Sequence, residues 1–134
     1  MDCTRKSWGT LLVVDDEAGI REVICLALES GGHDCLTAAD GGEALALVSA
    51  HGSEVCGVIT DLHMPEMNGV ELIRHLRETR PELPIMVSSG SISSEDRLTL
   101  AELGVVDVLP KPYTAKELLR HVESMICGGY CVRN

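Results

Sequence analysis

Residues 11–16 have the sequence LLVVDD, an apolar run that ends on two adjacent carboxylates. Two later runs have the same form: VIT at 58–60 precedes Asp61, and VVDVLP at 105–110 precedes Lys111. Short apolar runs of this kind are typical of parallel strands that are buried on both faces. The C-terminal ends of neighbouring parallel strands lie side by side, so three such strands would bring three carboxylates and one ammonium group together. We therefore expect a cation site beside a reactive aspartate.

Asp15, Asp16 and Asp61 would repel one another at this edge of the sheet. Two unit charges about 4 Å apart interact by roughly 4 kcal/mol at an effective dielectric of 20. A divalent cation with oxygen ligands would offset this repulsion. Mg²⁺ is the best match because it accepts one or two carboxylates, keeps several waters and leaves positions for phosphate oxygens. Lys111 would add a fixed positive charge that binds phosphoryl oxygens, so the four residues favour phosphoryl chemistry at a carboxylate.

The rest of the chain alternates short apolar runs with helical periodicity, which is typical of a parallel sheet covered by helices. We expect five strands, at about 10–15, 34–38, 55–60, 84–88 and 105–109. We expect five helices, at about 17–30, from 40, at about 67–79, at about 93–103 and from 114. Asp40 and Glu43 predict a capping box at the start of the second helix. Thr114 and Glu117 predict another at the start of the fifth. Right-handed crossovers would give a doubly wound sheet, which binds ligands outside the C-terminal ends of its strands.

The composition limits the classes of function. A chain of 134 residues is expected to form one domain with a proper core. Its 21 acidic and 11 basic residues give a net charge of −10, which argues against a surface that neutralises nucleic-acid phosphates. The sequence has no apolar stretch of the roughly 20 residues that a membrane helix requires, and no signal-peptide core in its first ten residues. We expect a soluble, cytoplasmic protein that binds neither nucleic acid nor membranes.

The cysteines and histidines show no spacing that suits a disulfide framework or a metal site. None of the six cysteines forms a CxxC pair, and several lie inside strand or helix patterns, so we expect free thiols. Four histidines are predicted to lie on the surface: His33, His51, His75 and His121. His63 differs because it follows Asp61 by two residues. Trp8 could belong to the core, an interface or a tail.

Residues 61–69 have the sequence DLHMPEMNG, with Asp15-Asp16 upstream, Ser89-Gly90 after the fourth strand and Lys111-Pro112 after the fifth. Together these segments resemble the receiver domains of two-component response regulators. An Asp pair or a Lys-Pro pair alone is a weak signal, whereas the DxxMPxMxG motif with both partners in the expected order is a strong one.

The resemblance covers about residues 8–127, with short terminal tails at 1–7 and 128–134. It implies a single domain with a flavodoxin-like α/β fold, in which a doubly wound, five-stranded parallel sheet of order 2-1-3-4-5 is packed against five helices. The resemblance also implies a site in which some residues take part in phosphoryl transfer and others bind a metal ion.

By this resemblance Asp61 is the phosphoacceptor, which takes a phosphoryl group from a phosphohistidine of a sensor histidine kinase or a histidine phosphotransfer protein. Asp16 would bind Mg²⁺ directly and Asp15 partly through water. Asp61 and the backbone carbonyl of His63 would be further ligands. Lys111 would pair with a phosphoryl oxygen.

The resemblance extends to the groups around the phosphoacceptor. The bond between Lys111 and Pro112 is expected to be cis. Ser89 would donate its hydroxyl to the phosphoryl group, and we prefer it to the adjacent Ser88 because it precedes Gly90 and lies at the family's usual spacing before the lysine. Strand alternation would turn Ser88 elsewhere. The side chain of His63 could modulate phosphoryl lifetime by blocking or orienting water, although a solvated loop histidine is the simpler interpretation.

One position departs from the family pattern. Receivers commonly have Tyr or Phe three residues before the lysine, and this ring changes orientation when the Ser or Thr hydroxyl engages the phosphoryl group. Here the switch position is Val108, which has no ring to move. We do not transfer the switch role to Tyr113, which corresponds to a different family position. Any output should therefore pass through the loop after the fourth strand, the fourth helix or residues 105–113.

The leading hypothesis is a phosphoacceptor signalling module that phosphorylates itself and slowly dephosphorylates itself, rather than a turnover enzyme. It would change its binding to a downstream protein or to a domain of a parent protein, or pass the phosphoryl group on. We expect no output domain in this chain, which suits a stand-alone regulator, a phosphorelay intermediate or an excised receiver. The alternative is a degenerate receiver that acts as a phosphorylation-independent interaction module.

Two other classes would use the same edge of the sheet. A flavodoxin-like cofactor binder would want a loop rich in Gly, Ser or Thr after the first strand, but residues 15–17 are DDE and would repel phosphate. An Asp-dependent phosphatase would need a cap over its substrate and a general acid soon after its nucleophile. Leu62-His63 follows Asp61, and no cap fits in this length of chain.

Overall fold

The computed structural model describes residues 9–64, 67–105 and 107–126. Its strands are β1 (Thr10–Val14), β2 (Asp34–Ala38), β3 (Val55–Thr60), β4 (Ile85–Ser89) and β5 (Asp107–Pro110). Its helices are α1 (Ala18–Ser30), α2 (Gly41–His51), α3 (Gly69–Thr79), α4 (Ser94–Glu102) and α5 (Ala115–Ile126), with a short 3-10 turn at Gly52–Glu54. The strands form one parallel sheet of order β2-β1-β3-β4-β5. The predicted fold is confirmed, and the predicted element boundaries differ from the observed ones by no more than two residues.

The apolar run of β1 serves both faces of the sheet. Leu11 and Val13 pack with the buried side chains of α1 and α5, whereas Leu12 and Val14 pack with those of α2, α3 and α4. All four side chains are essentially inaccessible to solvent. Successive side chains of a strand point to opposite faces, so a strand with helices on both sides must be apolar at every position. This explains why the run is continuous and why it ends abruptly where the chain leaves the sheet.

Side-chain caps set where the helices begin. Asp40 accepts a hydrogen bond from the amide of Glu43 at 2.8 Å, as predicted, but the Glu43 carboxylate accepts from the amide of Ala39 rather than from that of Asp40. Thr114 and Glu117 form the complete reciprocal pair, with bonds of 3.0 and 2.9 Å. These bonds satisfy amides that have no partner inside the helix.

The third and fourth helices also start at capped residues. The side chain of Asn68 accepts from the amide of Glu71, so α3 begins at Gly69 rather than at the predicted residue 67. Ser93 accepts from the amide of Asp96 and so caps α4, which begins at Ser94. Both caps lie in loops at the C-terminal edge of the sheet, where the candidate site is expected.

The predicted surface position of His33 is wrong, because this side chain is only 2% exposed. The chain turns at Gly32, which has a φ of 91°, and the amide of His33 donates to the carbonyl of Leu28 at 3.1 Å. This turn directs the residue inward at the start of β2. Burial lowers the pKa of His33, although the nearby carboxylates of Glu123 and Asp34 act in the opposite direction. Of the other three histidines, His75 is exposed, and His51 and His121 are half-buried.

The cysteines within the described residues are free thiols, as predicted: Cys25, Cys35 and Cys56. Burial raises the pKa of all three, that of Cys56 to about 11. The other cysteines, Trp8, both proposed tails and the proposed domain limits at 8 and 127 lie outside the described residues. None of the helices in the described ranges is long and apolar enough to cross a membrane.

Candidate functional site

The three aspartates meet because β1 and β3 are neighbours in the sheet. Val14 is paired with Thr60, and the amide of Asp61 continues the pairing by donating to the carbonyl of Val14 at 3.1 Å. Asp15 and Asp61 therefore leave the sheet side by side, and Asp16 follows directly. Carboxylate oxygens of the three residues lie within 4.8 Å of one another. Asp15 is buried, Asp61 is half-buried and Asp16 is exposed, so the group opens to solvent on one side.

Lys111 supplies a positive charge beside this group. Its Nζ lies 3.5 Å from Oδ2 of Asp15 and 3.5 Å from Oδ2 of Asp61. The backbone amide of Lys111 donates to the carbonyl of Ser89, which continues the pairing of β4 with β5, and the following bond to Pro112 is cis, as the resemblance implies. Burial alone would lower the pKa of Lys111, but the carboxylates of Asp61 and Asp15 outweigh it and raise the pKa above its usual value. The ammonium group is therefore charged at neutral pH.

The donor set fits Mg²⁺. Three carboxylates and one ammonium group leave a formal charge of −2, which one divalent cation balances. All the ligand atoms are oxygens, and the exposure of Asp16 leaves room for water and for a phosphoryl group, as the octahedral preference of Mg²⁺ requires. The cluster is thus suited to a partly hydrated cation rather than to a closed structural metal site.

Backbone groups hold the carboxylates in place. Oδ1 of Asp61 accepts from the amide of His63 at 3.2 Å, and Oδ1 of Asp15 accepts from the amide of Glu17 at 3.0 Å. Arg21 reaches back from α1 and donates to the backbone carbonyl of Asp15 at 2.6 Å. Our sequence prediction missed Arg21. An arginine in the first turns of a helix that follows an acidic pair was the only signal available for it.

Gly69 allows α3 to start against the loop that carries Asp61. Its amide donates to the carbonyl of Leu62 at 2.9 Å. A Cβ atom at this position would overlap the backbone carbonyl oxygen of Asp61 and would lie 2.8 Å from the Cα of Leu62. Backbone atoms have little freedom to yield, so any larger residue at position 69 must displace either the helix or the aspartate.

The two serines at the end of β4 have different partners. The hydroxyl of Ser88 donates to the hydroxyl of Tyr113 at 2.9 Å, on the face of the sheet that packs against α1 and α5. Ser89 Oγ donates to the carbonyl of Ser91 at 3.2 Å, and the amide of Ser91 donates back to Ser89 Oγ at 3.4 Å. Alternation therefore separates the two hydroxyls. The role of Ser89 as a donor to a phosphoryl group stays a prediction.

Val108 and His63, the two atypical positions of the predicted site, have different surroundings. Val108 is half-buried, pairs with Val87 and packs against the cluster under α2, α3 and α4. The ring of His63 is exposed and places Nε2 3.0 Å from the carbonyl oxygen of Ser91. The imidazole thus links the loop after β3 to the loop after β4, a contact across 28 positions that no sequence motif indicates.

A sheet of this order, with three carboxylates and a lysine gathered at its C-terminal edge, is the architecture of receiver domains. The family model of the response regulator receiver domain matches residues 11–123, and the chain belongs to this family. Receiver domains are phosphoacceptors that interact with histidine kinases or phosphotransfer proteins and bind Mg²⁺ at an acidic cluster.

Several known proteins are similar to this chain. It is 35% identical over 116 residues to the response regulator MprA of Mycolicibacterium vanbaalenii, a match that covers 87% of this chain and 49% of the relative. The chain thus spans about half the length of the curated relatives that it matches. A response regulator receiver protein from Pseudomonas putida is 38% identical, with a TM-score of 0.80 over 87% of this chain and 96% of that one. The Vibrio cholerae chemotaxis protein CheY4 is 29% identical, with a TM-score of 0.81 over 87% and 98%.

Proposed function

We propose that Asp61 accepts a phosphoryl group from a phosphohistidine of a sensor histidine kinase or a histidine phosphotransfer protein. The observation that carries this proposal is the position of the Lys111 ammonium group, 3.5 Å from the carboxylates of both Asp15 and Asp61. An acidic residue in such surroundings can act as a nucleophile because the charge of an incoming phosphoryl group is offset. Phosphoryl transfer needs mainly this positioning and electrostatic stabilisation.

The transfer step forms one bond and breaks one. A carboxylate oxygen of Asp61 attacks phosphorus, the bond from phosphorus to the imidazole nitrogen breaks, and the electron pair of that bond stays on the imidazole. The product is an aspartyl phosphate. The amide of His63 holds Oδ1 of Asp61 and so limits rotation of the carboxylate. Lys111 is placed to pair with a phosphoryl oxygen when that oxygen displaces its present carboxylate partners.

Asp15, Asp16, Asp61 and the backbone carbonyl of His63 are the ligands that we propose for Mg²⁺. The ion would supply charge that neutralises the phosphoryl oxygens. Asp15 is fixed by Lys111, by the amide of Glu17 and, through its backbone carbonyl, by Arg21. Asp16 is exposed and so stays accessible to a cation that arrives from solvent.

The output would start at Ser89, whose hydroxyl must leave Ser91 to reach a phosphoryl oxygen. The loop after β4 would then change, and with it the binding of a downstream protein or of a domain of a parent protein. Slow hydrolysis of the aspartyl phosphate would reset the site, and onward transfer to another histidine is the other fate of the phosphoryl group. We place this exchange in the cytoplasm, where a kinase can form phosphohistidine from ATP.

The second candidate function is a phosphorylation-independent interaction module. One observation favours it: Val108 stands at the switch position and is packed against the core, so no aromatic ring there responds to phosphorylation. The complete set of charged groups around Asp61 supports the first candidate, because an interaction module has no need for a lysine between two carboxylates.

Incubation with acetyl phosphate and Mg²⁺, followed by measurement of the intact mass, tests the proposal. We expect one phosphoryl adduct on the native protein, and none in the presence of a chelator or on Asp61→Asn. Asp34→Asn is the matched control, because Asp34 is an exposed carboxylate at the start of β2, at the opposite edge of the sheet. An adduct that survives in Asp61→Asn contradicts the proposal. If neither acetyl phosphate nor phosphoramidate gives an adduct on the native protein, the interaction module is the better account.

A further inference from the structure

The carbonyl oxygen of Ser91 lies where the phosphoacceptor loop meets the loop after β4. It accepts from Oγ of Ser89 at 3.2 Å and is 3.0 Å from Nε2 of His63. A carbonyl oxygen has two lone pairs, so both of its acceptor positions are used when the ring carries its proton on Nε2. One of the two partners is the proposed donor to the phosphoryl group, and the other lies two residues after the phosphoacceptor.

We propose that His63 is a positioning residue that ties the loop at 90–93 to the loop at 61–64 and keeps hold of Ser91 when Ser89 turns towards a phosphoryl group. This inference rests on the proposed function for its second half, the response to phosphorylation. Its first half, the tether itself, concerns the unphosphorylated protein.

The two bonds to Ser91 have different fates on phosphorylation. Ser89 has one hydroxyl proton, so it cannot donate to Ser91 and to a phosphoryl oxygen at the same time. When it moves, the bond from His63 is the side-chain hydrogen bond that remains on this carbonyl among the described residues. His63 therefore limits how far the loop departs, and without it the Ser91 carbonyl would keep neither of these two side-chain donors.

The tether leads directly to α4. Ser93, two residues after Ser91, caps this helix by accepting from the amide of Asp96 at 3.0 Å. A displacement of Ser91 thus reaches the first turn of α4 through a short piece of backbone. Because Val108 has no ring to reorient, this route does not depend on the switch position. It gives the chain a physical path from the phosphoacceptor to a surface helix.

Amide hydrogen exchange of Asp96 and Arg97 in the unphosphorylated protein tests the tether, because both amides donate to Ser93 and so report on the start of α4. In His63→Leu we expect exchange about fivefold faster than in the native protein, the factor implied by the net contribution of one hydrogen bond. His63→Gln should restore the native rates, because its side-chain amide can donate from a position close to that of Nε2. His75→Leu is the matched control, since His75 is exposed on α3 and far from this loop in sequence. Native rates in His63→Leu would overturn the proposal.

A double-mutant cycle with Ser89→Ala tests whether the two residues share their acceptor. Both donors act on the same carbonyl, so removing one changes what the other contributes, and the effect of the double variant should depart from the product of the two single effects. Independent, multiplicative effects would contradict a shared acceptor.

A last comparison adds acetyl phosphate and Mg²⁺. We expect phosphorylation to speed the exchange of Asp96 and Arg97 more in His63→Leu than in the native protein, and an equal increase in both would contradict the second half of the proposal. The measurements without phosphodonor stand apart from the proposed function. If the tether is absent, the exchange rates without phosphodonor are the same in His63→Leu and the native protein. If Asp61 is not a phosphoacceptor, the mass adduct is missing.

Discussion

Lys111→Met is expected to slow phosphorylation by acetyl phosphate about 10- to 100-fold while it tightens Mg²⁺ binding about tenfold. The two effects have opposite signs because the ammonium group attracts the negative groups at the site and repels a bound cation. It attracts the phosphoryl oxygens and the carboxylates of Asp15 and Asp61, but it repels a cation bound to those carboxylates. Two unit charges about 4 Å apart interact by roughly 1 kcal/mol in water and roughly 4 kcal/mol at an effective dielectric of 20. The free energy that corresponds to a tenfold change in Mg²⁺ affinity lies between these two values.

Calorimetric titration with Mg²⁺ and the time course of the mass adduct measure the two effects separately. Lys116→Met is the matched control, because Lys116 is exposed in the first turn of α5, and both quantities should stay unchanged in it. A loss of Mg²⁺ affinity in Lys111→Met would show that this residue supports the acidic cluster in some way other than by its charge. The carboxylates of Asp61 and Asp15 raise the pKa of Lys111 above its usual value despite its burial, so this charge is present at the neutral pH of both measurements.

Gly69→Ala is expected to lower the free energy of unfolding by about 1–3 kcal/mol, the usual cost of forcing atoms into a packed site. The added Cβ would meet the backbone at Asp61 and Leu62, and backbone cannot move aside as a flexible side chain can. We expect the displacement to reach the phosphoacceptor as well, so that the variant is also phosphorylated more slowly. Urea-induced unfolding and the mass adduct measure the two consequences.

Gly19→Ala is the control for this substitution. Gly19 lies in the first turn of α1, and apart from its chain neighbours and the backbone of its own helix a Cβ there would meet no atom within 4 Å. The same change should therefore raise stability by about 0.5–1 kcal/mol, because alanine loses less backbone entropy in a helix. If Gly69→Ala were as stable as Gly19→Ala, the close approach of α3 to the phosphoacceptor loop would not be a constraint on the fold.

The sequence was sufficient to predict the sheet and the charged edge because both depend on local patterns. The strands are continuous apolar runs that end on Asp15, Asp61 and Lys111, and the parallel topology alone brings these ends together. Helix starts were predictable where a cap and its acidic partner lie three residues apart, as at Thr114 and Glu117. These features need no knowledge of how distant loops meet.

Contacts between loops could not be predicted in this way. The burial of His33 depends on the direction of the turn after α1. Arg21 contacts the backbone carbonyl of Asp15, and His63 contacts that of Ser91. Every residue has such a carbonyl group. A sequence motif cannot indicate which carbonyl a side chain will find. Val108 is a different case, because the absence of an aromatic ring at the switch position can be read directly from the sequence.

Trapping with borohydride tests the central claim most directly, because this reagent reduces an acyl phosphate to an alcohol and so converts a phosphorylated aspartate into homoserine. The protein is incubated with acetyl phosphate and Mg²⁺, reduced, digested and sequenced by mass spectrometry. We predict homoserine at position 61 and aspartate at positions 15 and 16. Homoserine at either of those two positions, or a stable phosphoryl group on His63 with position 61 unchanged, would contradict the assignment of Asp61 as the phosphoacceptor.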